Sequence, residues 1–252
     1  AKAISREPGV HFAVFSLDEA LELRKNSINN NILVFSRMQP EYIEFAILND
    51  LILNLSSLDD MEYLNSYFSR YGKCPRFHIK FDTGMTRLGV NISDAGSLLD
   101  KIASSEGIYP EGIYSHFATA DEGDISYTEH QLSQFNSVLE MAKKYNIHFK
   151  YVHCSNSGSI LNLPQSYFNM VRVGMLIYGV APSKDVSMDI VVEPVMSFCG
   201  SIVELRRVPK GTQVSYGGIY STNKETTIGV VQTGFADGFP RPWFQNGFVS
   251  YK

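Results

Sequence analysis

Cysteine and tryptophan are scarce in this sequence, which holds three cysteines and one tryptophan in 252 residues. An odd number of widely spaced cysteines, Cys74, Cys154 and Cys199, argues against a disulfide framework and is typical of a reducing cytoplasm. His153 and Cys154 are adjacent, but no second histidine or cysteine pair stands at ligand spacing, so no metal site is predicted.

Basic residues are also in deficit, with 22 lysines and arginines against 26 acidic residues and a net charge of −4. This balance argues against binding of nucleic acid through a basic surface. No apolar run approaches the length of a membrane span, and residues 1–7 do not resemble a signal peptide. With 44% hydrophobic residues the chain can bury a sizeable core, in one large domain or two smaller ones.

Up to about residue 185 the sequence alternates short apolar runs with helical patterns. Strands are predicted over residues 11–15, 31–35, 51–55, 76–82, 112–116, 148–154 and 168–173. Helices are predicted over residues 17–25, 40–49, 57–71, 94–104, 126–145 and 157–163. Seven such units are one fewer than a closed (β/α)8 barrel needs, which favours a TIM-type barrel whose first strand is missing. An open doubly wound sheet is the alternative, but no G-x-G-x-x-G motif follows the early strands.

The pattern changes after Pro182, where β-type runs alternate with turns rich in glycine, proline and asparagine. The runs cover residues 195–205, 213–216, 226–233 and 247–251. We therefore expect two domains, a barrel domain over residues 1–185 and a partial all-β domain over residues 190–252.

Charged side chains cluster where the fourth predicted strand ends. Lys80 and Asp82 lie on one face of that strand, and Arg87 follows in a turn that contains Gly84 and Gly89. Active sites of (β/α) barrels form at the carboxyl ends of the strands. On charge alone, a salt-bridged surface turn explains this pattern equally well.

Other polar residues follow the later strands. His116 ends the fifth strand, and Asn156 and Ser157 begin the helix after the sixth, where free backbone N–H groups favour an anion. An ordinary helix cap is the simpler reading of that segment by itself. Arg172 and Gly174 follow the seventh strand. Two adjacent late loops rich in small residues match the phosphate-binding loops of (β/α) barrels.

Three motifs occur in order: K-x-D-T-G-M-x-R-L-G over residues 80–89, S-H-F-A-T-A-D over 115–121 and V-S-Y-G over 214–217. Together they resemble the alanine racemases, fold-type III enzymes that use pyridoxal 5'-phosphate (PLP). The resemblance implies racemisation of alanine by a two-base mechanism. It also implies a cytoplasmic bacterial homodimer that supplies D-alanine for peptidoglycan.

The resemblance also implies the cofactor-binding residues. They are Arg87, Asn156, Ser157, Arg172, Gly174 and Met175. In the family the arginine at position 172 meets the pyridine nitrogen, and a guanidinium always donates. The ring nitrogen therefore stays unprotonated, which weakens the electron sink and suits proton exchange at one carbon. Arg87 would contact the cofactor's phenolate oxygen and the substrate carboxylate.

By the same resemblance, Tyr216 is one of the two bases and reaches into the partner subunit's site, with His116 and Arg172 as its cationic neighbours. The other base is a lysine in a K-A-x-x-Y-G-H-G run, which this sequence lacks. We therefore expect the 252-residue polypeptide by itself to be inactive. Lys80 stands where many family members carry a carbamylated lysine, which would pair with Arg87.

One departure from the family lies in the segment 227–241, where Phe235 replaces the usual tyrosine. In the family that tyrosine lies near the substrate entrance, so the sequence does not decide which amino acid is the preferred substrate. One alternative is a racemase of the same fold that acts on serine or another amino acid. The other is a catalytically silent fragment with a binding or structural role.

Overall fold

The computed structural model describes residues 1–244, 247, 249 and 250. The chain divides into two compact units, Ala1–Pro194 and Val195–Lys252. The division falls between the alternating strands and helices of the first unit and the antiparallel strands of the second.

The first unit contains a parallel sheet whose main strands neighbour one another in chain order. Its strands are β1 (Phe12–Val14), β2 (Ile32–Val34), β3 (Ile52–Leu55), β4 (Arg76–Asp82), β5 (Val90–Asn91), β6 (Gly112–Tyr114) and β7 (Tyr151–His153). The short β5 lies off this order and pairs with the end of β4. The helices are α1 (Leu17–Lys25), α2 (Pro40–Leu48), α3 (Leu58–Tyr71), α4 (Ala95–Ser104), α5 (Ser126–Lys144) and α6 (Ser157–Asn162). Sequential parallel strands joined by helices have the topology of a (β/α) barrel, which confirms the predicted fold class.

Local signals in the sequence set where several helices begin. Ser16 caps α1 and forms a capping box with Glu19. Ser57 and Asp60 form the same arrangement at the start of α3. Pro40 opens α2, where its fixed φ suits the first turn and its missing N–H costs nothing. Each of the two serine caps stabilises its helix by roughly 1 kcal/mol.

The two faces of the sheet differ in chemistry. Phe77, Ile79 and Phe81 of β4 are fully buried in the main hydrophobic core, together with residues of the helices. The opposite face has a small apolar cluster made by Leu33, Ile52 and Tyr114. Strands that are buried on both faces are usually apolar throughout, so the polar residues of this second face require a separate explanation.

The predicted seventh strand is wrong, because residues 168–173 form no strand. Phe168 has a φ of +48°, which breaks an extended backbone. The Asn169 side chain then takes the place of a strand neighbour: its Nδ2 donates to the carbonyl of Lys150 at 2.9 Å, and its Oδ1 accepts from the N–H of Val152 at 2.8 Å. The backbone N–H of Arg172 donates to the carbonyl oxygen of Ser155 at 3.0 Å, so the segment still runs beside the chain that leaves β7.

The second unit is built of antiparallel strands, as expected for an all-β region. They are β8 (Ile202–Val208), β9 (Gln213–Val214), β10 (Tyr220–Ser221) and β11 (Thr226–Val231). β8 pairs with β11, and β9 pairs with β10. The strand predicted over residues 195–205 begins only at Ile202. The strand predicted over residues 247–251 lies largely outside the described residues.

Within residues 1–244 and the three further described positions, no helix is long and apolar enough to cross a membrane.

Candidate active site

The polar face of the sheet brings together side chains from four strands. Strand alternation turns His78 and Lys80 of β4 to this face, away from the helices. The strand register sets Asn54 beside His78, Lys80 beside Tyr114, and Tyr114 beside His153. We call these five residues the site face. Tyr114 lies at its centre, stacked on the His153 ring with a centroid distance of 4.8 Å.

The turn after β4 brings Arg87 back towards the strand end. Oδ1 of Asp82 accepts hydrogen bonds from the backbone N–H groups of Gly84 at 2.9 Å and Thr86 at 3.0 Å. Gly89 has a φ of +134°, and a Cβ at this position would lie 2.5 Å from the backbone nitrogen of Asp82. Only glycine therefore lets the chain fold so closely onto the strand at this position.

Arg172 is fixed by contacts to the ends of β6 and β7. One terminal nitrogen donates to Nδ1 of His153 at 2.7 Å and to its carbonyl at 3.1 Å. The other donates to the carbonyls of Ser115 at 2.6 Å and Cys154 at 3.0 Å, and to Nδ1 of His116 at 3.1 Å. Among the described residues, Nε of Arg172 has no acceptor, so one N–H remains to donate to a ligand.

Both histidines that contact Arg172 are neutral. A guanidinium can only donate, so each Nδ1 must offer a lone pair. Burial, reinforced by Arg172, Arg87 and Lys80, lowers the pKa of His116 to about 3. Burial and Arg172 also lower the pKa of His153 well below its usual value. Of the two cationic neighbours expected for Tyr216, therefore, only Arg172 carries a charge.

Lys80 is a buried amine among cations. It is only 4% exposed, and its Nζ lies 5.6 Å from the centre of the Tyr114 ring. Burial, followed by the charges of Arg87 and Arg172, lowers the pKa of Lys80 to about 8, while Asp82 opposes the shift. A part of the Lys80 population is therefore an uncharged, nucleophilic amine near neutral pH.

The two loops predicted to bind phosphate meet at Ser157. Its Oγ accepts from the backbone N–H of Gly174 at 3.0 Å, and its own proton remains available to an anion. Asn156 caps α6 by accepting from the N–H of Ser159 at 3.1 Å. Gly158 allows α6 to approach the loop after β6, since a Cβ would lie 2.8 Å from the backbone of Ala120.

The remaining predicted residues are exposed. Met175 begins the short 3₁₀ turn Met175–Tyr178 and is 46% exposed. Tyr216 belongs to the second unit, where it begins the 3₁₀ turn Tyr216–Gly218 and is 97% exposed. Phe235, also in the second unit, is 66% exposed. The structure thus brings Lys80, His116 and Arg172 together within the first unit.

Sequence reasoning missed four residues of the site face. His153 was considered only as half of a metal site, and Asn54, His78 and Tyr114 were not singled out. Each of the four follows an apolar residue on its strand, a pattern that could have indicated a polar face. Their mutual contacts depend on the register between strands, which a single sequence does not reveal.

The fold and the site together define a (β/α)-barrel protein with polar groups gathered at the carboxyl ends of its strands. Residues 1–182 match the family described as "Alanine racemase, N-terminal domain", and residues 195–252 match "Alanine racemase, C-terminal domain". The chain belongs to the alanine racemase family.

Individual relatives agree with this assignment. The chain is 34% identical to an alanine racemase of Desulfovibrio desulfuricans, over 92% of this chain and 62% of the relative. It is 36% identical to an alanine racemase of Halothermothrix orenii, over 99% of this chain and 66% of the relative. A crystal structure of alanine racemase from E. faecalis superposes with a TM-score of 0.82 at 32% identity, over 96% of this chain and 65% of that one. The chain therefore spans slightly less than two thirds of the length of these relatives.

Proposed function

We propose that the protein carrying this chain interconverts L- and D-alanine with PLP. The observation that carries the proposal is the environment of Arg172. Its two terminal nitrogens are engaged by His153, His116 and three backbone carbonyls, while Nε is free to donate. This arrangement fits a pyridine nitrogen that accepts a hydrogen bond, and it occurs in a member of the alanine racemase family.

PLP, when bound, withdraws electrons from the substrate's α-carbon and makes the proton there acidic. Ser157 can donate its hydroxyl proton to the phosphate, with Asn156, Gly174 and Met175 around it. Arg172 would donate to the ring nitrogen and keep it unprotonated, which would weaken the pull of the ring on electrons at the α-carbon. Arg87 would orient the substrate carboxylate.

Two bases would exchange the α-proton, one on each face. Tyr216 is our candidate for the base that acts on the L-enantiomer. The second base is a lysine that residues outside these 252 would supply, because the sequence contains no K-A-x-x-Y-G-H-G run. In this proposal residues 1–185 bind the cofactor, and residues 190–252 supply Tyr216 to the site of a second subunit in a homodimer. We place this enzyme in the bacterial cytoplasm, where D-alanine would serve peptidoglycan synthesis.

Lys80 is our candidate for carbamylation. The pKa of about 8 leaves a usable fraction of neutral amine, and the neutral amine adds CO₂ to give a carbamate with release of one proton. The product is an anion, and an anion is favoured between the charges of Arg87 and Arg172. Carbamylation would thus convert an unfavourable cluster of cations into a favourable arrangement.

The test uses the full-length protein that carries this sequence, loaded with PLP. Optical rotation should fall towards zero from either L- or D-alanine. Arg172→Lys should lower the rate at least about tenfold, since the lysine cannot reproduce the fork of hydrogen bonds. Arg24→Lys is the matched control, because Arg24 also donates to backbone carbonyls, those of Asn49 and Ile28 among them, in another part of the first unit.

Phe235 favours one alternative, a racemase of the same fold that prefers serine or another amino acid. Rates with alanine and serine should then be compared in the unsubstituted protein and in Phe235→Tyr. A higher kcat/KM for serine than for alanine would refute the proposed substrate. Absence of racemisation with every amino acid, despite PLP binding, would favour a catalytically silent protein.

A further inference from the structure

His78 is a buried histidine that the proposed reaction does not use. His78 is 1% exposed, and its Nδ1 lies 3.0 Å from Nε2 of His153. Its own Nε2 is buried and has no hydrogen-bond partner among the described residues. Most buried polar groups in folded proteins have a partner, so this ring nitrogen requires an explanation.

The donors and acceptors along this contact allow one arrangement of protons. Arg172 donates to Nδ1 of His153, so the single proton of a neutral His153 must lie on Nε2. Among the residues that the structure describes, the acceptor within reach of that proton is Nδ1 of His78. A neutral His78 then carries its own proton on Nε2, the atom without a partner. Burial lowers the pKa of His78 to about 4, opposed by Glu111, and lowers that of His153 well below its usual value, so both rings are neutral.

Gly112 is what allows His78 to reach His153. The register sets His78 beside Gly112 on the neighbouring strand β6. A Cβ at position 112 would lie 2.7 Å from Nε2 of His78 and 2.8 Å from two carbons of its ring. Glycine inside a strand often marks the close approach of another group. Because Gly112 has no side chain, the His78 ring has room to lie across β6.

We propose that His78 is a positioning residue of the active site, which accepts the Nε2 proton of His153 and thereby holds Arg172 in place. His78 acts through two hydrogen bonds, since it contacts His153 and His153 contacts Arg172. The ring of His153 is kept in one tautomer and one orientation, and Nε of Arg172 stays directed to the ligand. The inference rests on the proposed function only in naming PLP as that ligand.

Two substitutions of His78 separate this role from a packing role. His78→Leu has a similar volume but no acceptor, whereas His78→Asn keeps an acceptor oxygen near the place of Nδ1. In the full-length protein labelled with ¹⁵N-histidine and free of PLP, His153 should show one Nε2–H tautomer. We expect that signal to broaden or shift in His78→Leu and to return in His78→Asn. PLP affinity should fall about tenfold in His78→Leu, as for one lost hydrogen bond, and be largely restored in His78→Asn.

Two further variants complete the design. Gly112→Ala changes no titratable group but displaces the His78 ring, so it should reproduce both effects of His78→Leu. His11→Leu is the matched control, since His11 lies beside Tyr151 and bonds Asn31 rather than His153. It should leave the His153 signals and PLP affinity unchanged.

The outcomes are distinct. Unchanged His153 signals in both His78→Leu and Gly112→Ala would overturn the proposal. So would equal losses of PLP affinity in His78→Leu and His78→Asn, which would indicate packing alone. If the unsubstituted protein shows the single tautomer and binds PLP but racemises no amino acid, the proposed function fails while the role of His78 stands.

Discussion

Mild acid should destabilise the folded chain through the buried histidines of the site. Burial is the first cause of the lowered pKa in His78, His116 and His153, with values of about 4 for His78 and about 3 for His116. The unfolded chain takes up protons near pH 6.5, whereas the folded rings do not. Their contribution to stability is therefore complete above pH 6.5 and is lost as the pH falls towards the folded pKa values.

The magnitude follows from linkage. One pKa unit corresponds to about 1.4 kcal/mol, so at pH 5 His78 and His116 each lower the free energy of unfolding by about 2 kcal/mol relative to pH 8. Together these two should cost about 4 kcal/mol, and His153 and His11, whose pKa values are also lowered by burial, add in the same direction. Carboxylates such as Glu19 and Glu111, whose pKa values are lowered, respond only at lower pH.

Urea unfolding followed by far-UV circular dichroism at pH 8, 7, 6 and 5 measures this loss. His78→Leu should reduce the difference between pH 8 and pH 5 by about 2 kcal/mol. His148→Asn alters an exposed histidine and should leave the difference unchanged. A free energy of unfolding that is constant from pH 8 to pH 5 would refute the assignment of neutral, buried histidines.

Four further predictions concern the proposed chemistry. The 252-residue chain alone, incubated with PLP, should not change the optical rotation of L-alanine, and turnover by this chain would contradict the need for an outside lysine. Tyr216→Phe in the full-length protein should suppress deuterium exchange at the α-carbon of L-alanine far more than of D-alanine; equal losses would exclude Tyr216 as the L-specific base. ¹³C-labelled bicarbonate should give a carbamate signal that Lys80→Arg removes, and a signal that persists would place the carbamate elsewhere. Arg172→Glu should cause pyridoxamine phosphate to accumulate during turnover, because a carboxylate would keep the ring nitrogen protonated; normal PLP binding without accumulation would show that Arg172 does not face that nitrogen.

The order of the six main strands of the parallel sheet, β1–β4, β6 and β7, and of the helices between them could be predicted from the sequence. Their signals are local: the alternation in β4, the capping box of Ser16 and Glu19, and Pro40 at the start of α2. The extended run at 168–173 misled the prediction for the same reason. Its apolar residues suit a strand, but Phe168 takes a positive φ and the Asn169 side chain replaces the backbone pairing.

The candidate site was only partly accessible to sequence reasoning. The motifs around Lys80, His116 and Arg172 could be found, because they follow predicted strands and resemble those of a known family. His78 and His153 are 75 positions apart in the chain, and no local pattern predicts that their rings meet. Their contact depends on the pairing of neighbouring strands and on the absence of a side chain at Gly112.

The sequence by itself determined the class of fold and the chemical types available at the strand ends, because periodicity, caps and turn residues act over a few positions. Only the tertiary structure decided the protonation of the site. The pKa values of His78, His116 and Lys80 are set chiefly by burial and then by charges from other strands and loops. Burial and long-range charge depend on which distant segments pack together, and that is a property of the folded chain.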